Sequence, residues 1–420
     1  MTGNGATAPG PPRGKLVVVG GGIAGISAAV EAAEIGCEVV LVEREPHLGG
    51  RVAQMHQYFP KLCPPVCGLE INLRRIRTSP RIKIHTLTQV QSVAGVPGQY
   101  RVTLRQEPRF VGEQCSACGT CAAACPVERS SGFDFGLGKT RAAYLAYPGA
   151  WPTRYTIDGN ACTGSSCGRC VPLCPCQAID LSAKARTMEV EAAALIWATG
   201  WRPYQPSRLS DLGYGSHPDI ITNMMMERLA SPHGPTGGRV QCPSDDRIPS
   251  SIAFVQCAGS RDDAHLPYCS GLCCMASAKH ARYLRAQLPE AEISIYYIDR
   301  RASGRQESFL AETERDPKIH FVPGKVSKVS VEGGKPVLDV EDMTRGKRIR
   351  QSVDLLVLAT GMVASETAVS LARDGYGFLA GSVGQLSAGC AREPMDVANA
   401  VRDATSAVLR ALAVCPARGG

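Results

Sequence analysis

Residues 15 to 45 read "KLVVVGGGIAGISAAVEAAEIGCEVVLVERE". An apolar run over Leu16–Val19, a glycine turn, a helix of small residues and a second apolar run ending at Glu43 form a strand–helix–strand unit. Gly20, Gly22 and Gly25 hold the three positions of G-x-G-x-x-G. The first serves a tight turn, the second lets backbone approach a pyrophosphate, and the third lets the helix pack close on its strand. Phosphates then sit on the helix N-terminus, and Glu43, followed by Arg44, is placed to accept from a ribose hydroxyl. A glycine turn by itself is also what an ordinary tight turn contains. Strand, helix and terminal acid together point to a dinucleotide.

The next segment, "HLGGR" at His47–Arg51, adds Gly49, Gly50 and Arg51 as candidate cofactor contacts. It resembles the second flavin-contacting segment of flavoproteins with two dinucleotide folds and favours FAD over NAD. Two later apolar strands, "AALIWATG" and "LLVLATG", end in Thr199-Gly200 and Thr360-Gly361, as strands of that superfamily do. The expected fold class is α/β, with two Rossmann-type units of the thioredoxin-reductase kind.

At 420 residues the chain can bury a large core in two or three domains. Nineteen cysteines in a long chain whose first residues, "MTGNGATAPGPPRG", carry no basic-then-apolar leader favour reduced thiols in a cytoplasm over a disulfide framework. Thiols of that kind are metal ligands or redox groups. No stretch reaches the roughly 18 apolar residues that span a bilayer, so membrane contact is expected only through a partner. The net charge of +8, from 46 basic and 38 acidic residues without long basic runs, reads as a solvated surface and argues against nucleic-acid binding.

A cysteine-rich segment interrupts the α/β pattern. "CSACGTCAAACP" has the C-x2-C-x2-C-x3-C-P spacing of a bacterial ferredoxin half, and "CTGSSCGRCVPLCP" repeats it with two extra residues in the first interval. In two-cluster modules the fourth cysteine of each run ligates the other cluster. The spacing therefore assigns Cys115, Cys118, Cys121 and Cys174 to one [4Fe–4S] centre, and Cys162, Cys167, Cys170 and Cys125 to a second. Cys176 competes as a ligand for the latter. Structural zinc is the alternative, but zinc sites usually pair two C-x-x-C arms.

The chain then returns to strands and helices. "SSIAFVQCAGS", "CCMASAKHARYLRAQL" and "EISIYYIDRR" form a second strand–helix–strand unit, where a nicotinamide nucleotide would bind. Its turn lacks the glycine fingerprint and instead carries Cys257, with Cys269, Cys273 and Cys274 at the start of the helix. Buried free thiols and a vicinal disulfide at Cys273–Cys274 are the plain alternatives. Four thiols converging on one helix N-terminus, which favours thiolate, favour a third cluster.

The chain resembles the family of heterodisulfide reductase A subunits, and within it the A subunit of quinone-interacting membrane-bound oxidoreductase complexes. The resemblance is carried by "GGGIAGISAA", "YFPKLCPPVCGLEINLRRI", the ferredoxin run with "GLGKTRAAYLAYPGAWPTRYTID", "FVQCAGSRD", "LPYCSGLCCM", "YIDRR" and "AGCAREPMDVANAVRDAT", over most of residues 15 to 412. It implies a [4Fe–4S] cluster on the C-x11-C-x3-C-C set Cys257, Cys269, Cys273 and Cys274. The long heterodisulfide reductase protein has an additional N-terminal cysteine-containing domain and a C-terminal ferredoxin domain. Neither is found here, which favours the shorter quinone-linked relative. By analogy, the expected role is relaying electrons between a membrane quinone module and a soluble sulfur-metabolism enzyme such as adenylylsulfate reductase, at the inner face of the membrane through a partner protein. The alternatives are a soluble, electron-bifurcating heterodisulfide reductase-type complex, an NAD(P)H-dependent disulfide reductase and a zinc-stabilised scaffold.

Cys63 and Cys67, around two prolines, are read as packing thiols, and Met224 to Met226 as helix core. A turn at Cys390 leads into a helix beginning near Met395, whose N-terminus would face the flavin. Relatives with nicotinamide domains carry Asp where this chain has Cys390, and a neutral thiol there should raise the flavin potential. No acid, base or nucleophile constellation stands out. The expected organisation is a flexible tail (1–14), FAD domain (15–110), ferredoxin-like insert (111–182), connecting segment (183–249), second nucleotide fold (250–345) and the rest of the FAD domain (346–420).

Overall fold

The computed structural model describes residues 13–415. Of the tail expected over 1–14, all but the last two residues lie outside them.

The opening motif folds as its pattern dictates. Lys15–Val19 and Glu38–Val42 pair in parallel on either side of the helix Ile23–Glu34. The near-continuous valine and leucine runs are buried on both faces, as strands of a covered parallel sheet must be. Five parallel strands complete this sheet in the order Gln385–Ser387, Ala194–Trp197, Lys15–Val19, Glu38–Val42, Ile82–His85. The C-terminal helix Val397–Ala411 packs on the glycine helix and closes the unit.

A second sheet of seven strands contains Ile220–Thr222, Leu355–Thr360, Ser251–Ala258, Glu292–Tyr297 and Ile319–Glu332 in parallel, then the antiparallel Lys335–Asp342 and Lys347–Ser352. Two expected boundaries shift as a result. The segment 183–249 contributes a strand, and the helix Asn223–Ala230 with Met224, Met225 and Met226 buried. The second unit also runs on to Thr360 instead of ending at 345, because the apolar run Leu355–Thr360 lies between two strands of its sheet. The two crossings between the units pair with each other, Trp201–Pro203 against Met362–Ala364.

The cysteine-rich insert leaves from Gln106 and returns at Arg186, and these two residues are register partners in an antiparallel three-stranded sheet with Thr88–Val96. Its neck is fastened by Gly112 N–H donating to Ala178 O at 2.7 Å and Asp180 N–H to Phe110 O at 3.0 Å. An insertion whose ends already meet costs the host fold little, since loop entropy grows only slowly with length.

Candidate flavin cavity and cysteine centres

A cavity of about 1010 Å³ runs between the two units, lined by Gly20, Gly22, Glu43, Arg44, Gly50, Arg51, Thr199, Gly200, Thr360, Cys390 and Met395. Residues far apart in sequence and singled out for one cofactor thus share one space. Of the remaining three expected contacts, Gly25 and Gly49 serve packing and Gly361 lies against Ser260. A Cβ on Gly25 would stand 1.8 Å from Gly20 O, so the helix approaches its strand as closely as the motif requires. Gly20 itself has φ +112°, and a side chain there would strike Ala198 O. The glycine helix has Gly22 as N-cap with no side-chain cap bond, which leaves its first N–H groups for an anion.

Glu43 accepts from Gly21 N–H at 2.6 Å and Glu45 N–H at 2.8 Å. Burial pushes its pKa up to about 7 against these two bonds. Each carboxylate oxygen retains a lone pair for a ribose hydroxyl. Arg51 donates to Trp201 O at 3.2 Å and Gln54 Oε1 at 2.9 Å. At the far strand end, Thr199 Oγ1 is buried without a hydrogen-bond partner, as is His280 Nδ1, and both residues line the cavity. Orphaned polar atoms around a void of this size fit a large polar cofactor. Cys390 is a neutral thiol: burial raises its pKa to about 11, and it donates to Met395 O at 3.3 Å. The helix after it begins at Val397, two residues beyond Met395, because Asp396 caps it by accepting from Asn399 N–H at 2.8 Å.

Sequence reasoning missed two contributions to this cavity. The first is an ionic group with side chains at most 3 % exposed: Lys279 Nζ and His280 Nε2 both meet Glu227 Oε1, the latter at 2.6 Å. Glu227 Oε2 accepts from His56 N–H at 2.8 Å, and Lys279 also donates to Gln57 O at 2.8 Å. Burial would raise the Glu227 carboxyl, but Lys279 and His280 outweigh it and hold it well below the usual range. Burial lowers the pKa of His280 despite the nearby Glu227 carboxylate. The signal was present: Ala276, Lys279, His280 and Tyr283 recur at the i, i+3, i+4, i+7 spacing of a buried face. The second is the insert, which supplies Arg129, Phe133, Tyr144 and Asp158 to the lining. It is locked there by Arg228, buried and bonded to Asp134 at 2.9 Å, and by Tyr147 O–H donating to Leu48 O at 2.9 Å.

Cys273 and Cys274 both carry free thiols and form no vicinal disulfide. Cysteines of each expected set are neighbours in the fold. Cys115, Cys118, Cys121 and Cys174 line one small void, with Cys176 on its rim bonded to Ser116 rather than among the second set. Cys170 is raised by burial and then by its neighbours Cys162, Cys125 and Cys167. Cys257 is pushed up to about 11 by burial and then by Cys274 and Cys269, and Cys273 is raised by burial and by the other three. Backbone N–H groups donate to the sulfurs of Cys115, Cys162, Cys174 and Cys269 at 3.3 to 3.4 Å. Among the described residues no three Cys, His, Asp or Glu side chains are gathered tightly enough to hold one metal ion. Cys63 and Cys67 are exposed, correcting their reading as packing thiols: they flank the solvent-facing start of the helix Pro65–Thr78.

The second unit's turn is filled by its own chain. Cys257 has φ +54°, and a Cβ on Gly259 would lie 2.7 Å from the Tyr204 ring. The helix Cys273–Gln287 starts at Cys273, so Cys273 and Cys274 are its first two residues. The roughly 100° step between successive helical residues is enough to part the two thiols. Cys273 contacts Thr360 O at 3.7 Å and lines the flavin cavity, whereas Cys274 contacts Asp299 O at 3.7 Å.

A family profile described as FAD dependent oxidoreductase matches residues 15–79. Thioredoxin reductase of Lactococcus lactis superposes with a TM-score of 0.52 at 13 % identity, covering 96 % of this chain and 98 % of that one, which establishes the shared fold. Fold and cavity together define an FAD-type oxidoreductase built from two dinucleotide units. The A subunit of the Ferredoxin/F(420)H(2)-dependent CoB-CoM heterodisulfide reductase of Methanosarcina acetivorans is 38 % identical over 363 residues, 85 % of this chain and 45 % of that protein. The A subunit of the H(2):CoB-CoM heterodisulfide,ferredoxin reductase of Methanothermobacter marburgensis is 34 % identical over 419 residues, 94 % of this chain and 63 % of that protein. The chain belongs to the family of heterodisulfide reductase A subunits. It spans about half the length of the first of these curated relatives and under two thirds of the second. Among the described residues no helix is long and apolar enough to cross a membrane.

Proposed function

We propose that this chain is an FAD- and iron–sulfur-carrying electron-transfer subunit that relays electrons between a membrane quinone module and a soluble sulfur-metabolism enzyme such as adenylylsulfate reductase. The observation that carries the relay reading is Cys273: a cysteine of the turn where a nicotinamide would dock lines the same cavity as the flavin motif. FAD supplies interconversion of paired and single electrons, and [4Fe–4S] centres supply one-electron steps.

The protein's part is placement and electrostatics. The glycine turn and the open helix N-terminus hold a pyrophosphate, and Glu43 accepts from a ribose hydroxyl. Thr199, Thr360 and the Cys390–Met395 turn bound the remaining space, with Cys390 supplying no negative charge. Lys279, fixed by Glu227, keeps a cation against the cavity, and the unpartnered Nδ1 of His280 gives a proton position within it. Cys115, Cys118, Cys121 and Cys174, then Cys125, Cys162, Cys167 and Cys170, and finally Cys257, Cys269, Cys273 and Cys274 would hold three clusters. A cubane takes each thiolate on a different iron corner, so its ligands stand farther apart than those of a single ion, in keeping with looser thiol groups. Burial raises several of these thiols, so cluster assembly must displace protons.

A second assembly is favoured by the relatives themselves, whose names carry ferredoxin, F(420)H(2) and H(2) beside the heterodisulfide: a heterodisulfide reductase-type complex. The distinguishing test is what a tagged chain carries through anaerobic purification from its own cells. Membrane cytochrome and adenylylsulfate reductase subunits would support the first assembly, and soluble heterodisulfide reductase-type subunits the second. For the relay itself, dithionite should bleach the flavin of the isolated chain while NADH and NADPH should not. Rapid stoichiometric bleaching by either nucleotide would make the protein a disulfide-reductase-type enzyme instead. A spectrum with neither flavin bands nor an iron–sulfur shoulder would leave only the zinc scaffold.

A further inference from the structure

Asp299, at the end of the strand Glu292–Tyr297, ties three things together. Its backbone oxygen accepts from Cys274 Sγ at 3.7 Å. Its Oδ1 is bonded to Arg261 Nη1 at 2.5 Å, and its Oδ2 to Arg301 Nη2 at 3.3 Å. Arg261 stands four residues after Cys257, in the same turn. Arg301, two residues after Asp299, places its guanidinium in the neighbourhood of Cys257, Cys269 and Cys274. Two guanidiniums and one carboxylate leave one net positive charge beside the four thiols.

The backbone is bent to make this arrangement. Cys257 and Arg261 have φ of +54° and +60°, in the left-handed region that residues other than glycine rarely occupy. Strain of this kind persists where surrounding structure enforces it and collects at functional sites. Here the hairpin enforces it through Arg261 N–H donating to Tyr268 O at 3.1 Å and Leu266 N–H donating to Gly259 O at 3.0 Å. The first cysteine group is furnished differently. Arg109, the cation that interacts with Cys115, donates its N–H groups to Arg154 O, Pro46 O and Thr86 Oγ1, none of them at a thiol.

We infer that Arg261 and Arg301, clamped by Asp299, are positioning residues that raise the reduction potential of the centre on Cys257, Cys269, Cys273 and Cys274. This rests on the reading that those cysteines bind a [4Fe–4S] cluster. Reduction adds one electron and no proton, so the site becomes one unit more negative. Guanidinium stays protonated at any working pH, and fixed cations and hydrogen bonds to sulfur favour the more negative state. The centre nearest the former nicotinamide turn is thereby made an electron acceptor for the flavin cavity that Cys273 lines.

The test is a redox titration of the full chain, reconstituted anaerobically with FAD, iron and sulfide and followed by electron paramagnetic resonance with dithionite as reductant. The signal lost in Cys269→Ser identifies the third centre, and the ferredoxin-type signals serve as internal controls. Arg261→Gln with Arg301→Gln should weaken one-electron reduction of that centre about tenfold, a downward shift of about 59 mV. Asp299→Asn, which uncovers both cations, should shift it upward, and Arg261→Lys should restore part of the loss. Because the two changes act in opposite directions, general loosening of the fold cannot imitate both. A third centre whose potential is unchanged in the double variant overturns this inference alone. If the unsubstituted chain has no third paramagnetic centre, the cluster reading falls and the inference with it.

Discussion

Two strand–turn–helix units in this chain share a topology and differ in what fills the turn. Between Val19 and Ile23 the turn is three glycines, and the space a side chain would occupy is left to a cofactor phosphate. Between Ala258 and Cys273 the loop closes on itself, Tyr204 covers Gly259, and two thiols open the helix, one on Thr360 O and one on Asp299 O. The fold decides where something docks, at the carboxyl ends of parallel strands. The side chains decide what docks. A glycine turn with a bare helix start favours an anion, and a cysteine turn at the same helix dipole favours thiolate.

The largest effect is expected at the junction between the two units. Glu227→Gln leaves Lys279, whose side chain is fully buried, without its counter-ion, and should cost about 3–5 kcal/mol of unfolding free energy. Because the Glu227 carboxyl is held below its ordinary value of 4.5, its stabilisation is complete above that pH and is lost as pH falls below it. Urea melts of both proteins between pH 3 and pH 7 should therefore converge at the acid end, and a constant difference would remove the ion pair from the account.

Next in size is the glycine turn. Gly25→Ala puts a methyl on Gly20 O and should destabilise by about 1–3 kcal/mol, with FAD lost on gel filtration. Retention of stoichiometric flavin would show that the close approach is dispensable. The cysteine turn should break differently. Cys269→Ser or Cys274→Ser should remove about four iron atoms per chain and one paramagnetic signal, with FAD and both ferredoxin-type centres retained. Full iron content and normal electron transfer in Cys273→Ser/Cys274→Ser would reduce these residues to packing thiols.

The smallest effect belongs to Glu43, whose sign is opposite to that of Glu227. Burial raises it from 4.5 to about 7, so in flavin-free protein its contribution is complete below 4.5 and is lost as pH rises through about 7. Glu43→Gln should flatten the thermal-melting profile across that window. A profile unchanged by the substitution would mean that the carboxylate is as well solvated in the folded chain as in the unfolded one.

Much of the first unit is legible because its requirements are local. Gly20 needs a positive φ and Gly25 needs room for a neighbouring carbonyl, and both demands are met within six residues. The boundary at residue 346 is misplaced for a related reason. "LLVLATG" reads as a buried strand in either unit, and only strand pairing puts Leu355–Thr360 in the second sheet. Cys63 and Cys67 read as packing thiols around two prolines, but the helix start they flank faces solvent.

By itself the sequence determined the βαβ units, the motif glycines and the acid at the second strand's end. Each of these depends on short-range geometry: a turn, a helix start, a loop of a few residues. Tertiary structure alone decided the rest. It brought Glu227 to Lys279 and His280 across 52 and 53 residues, put Cys273 on the wall of the flavin cavity, and folded the insert back so that Arg129, Phe133 and Tyr144 line a site whose motif lies a hundred residues earlier. Burial and charge pairing act between whatever surfaces the fold brings together, and no local pattern encodes which surfaces those are.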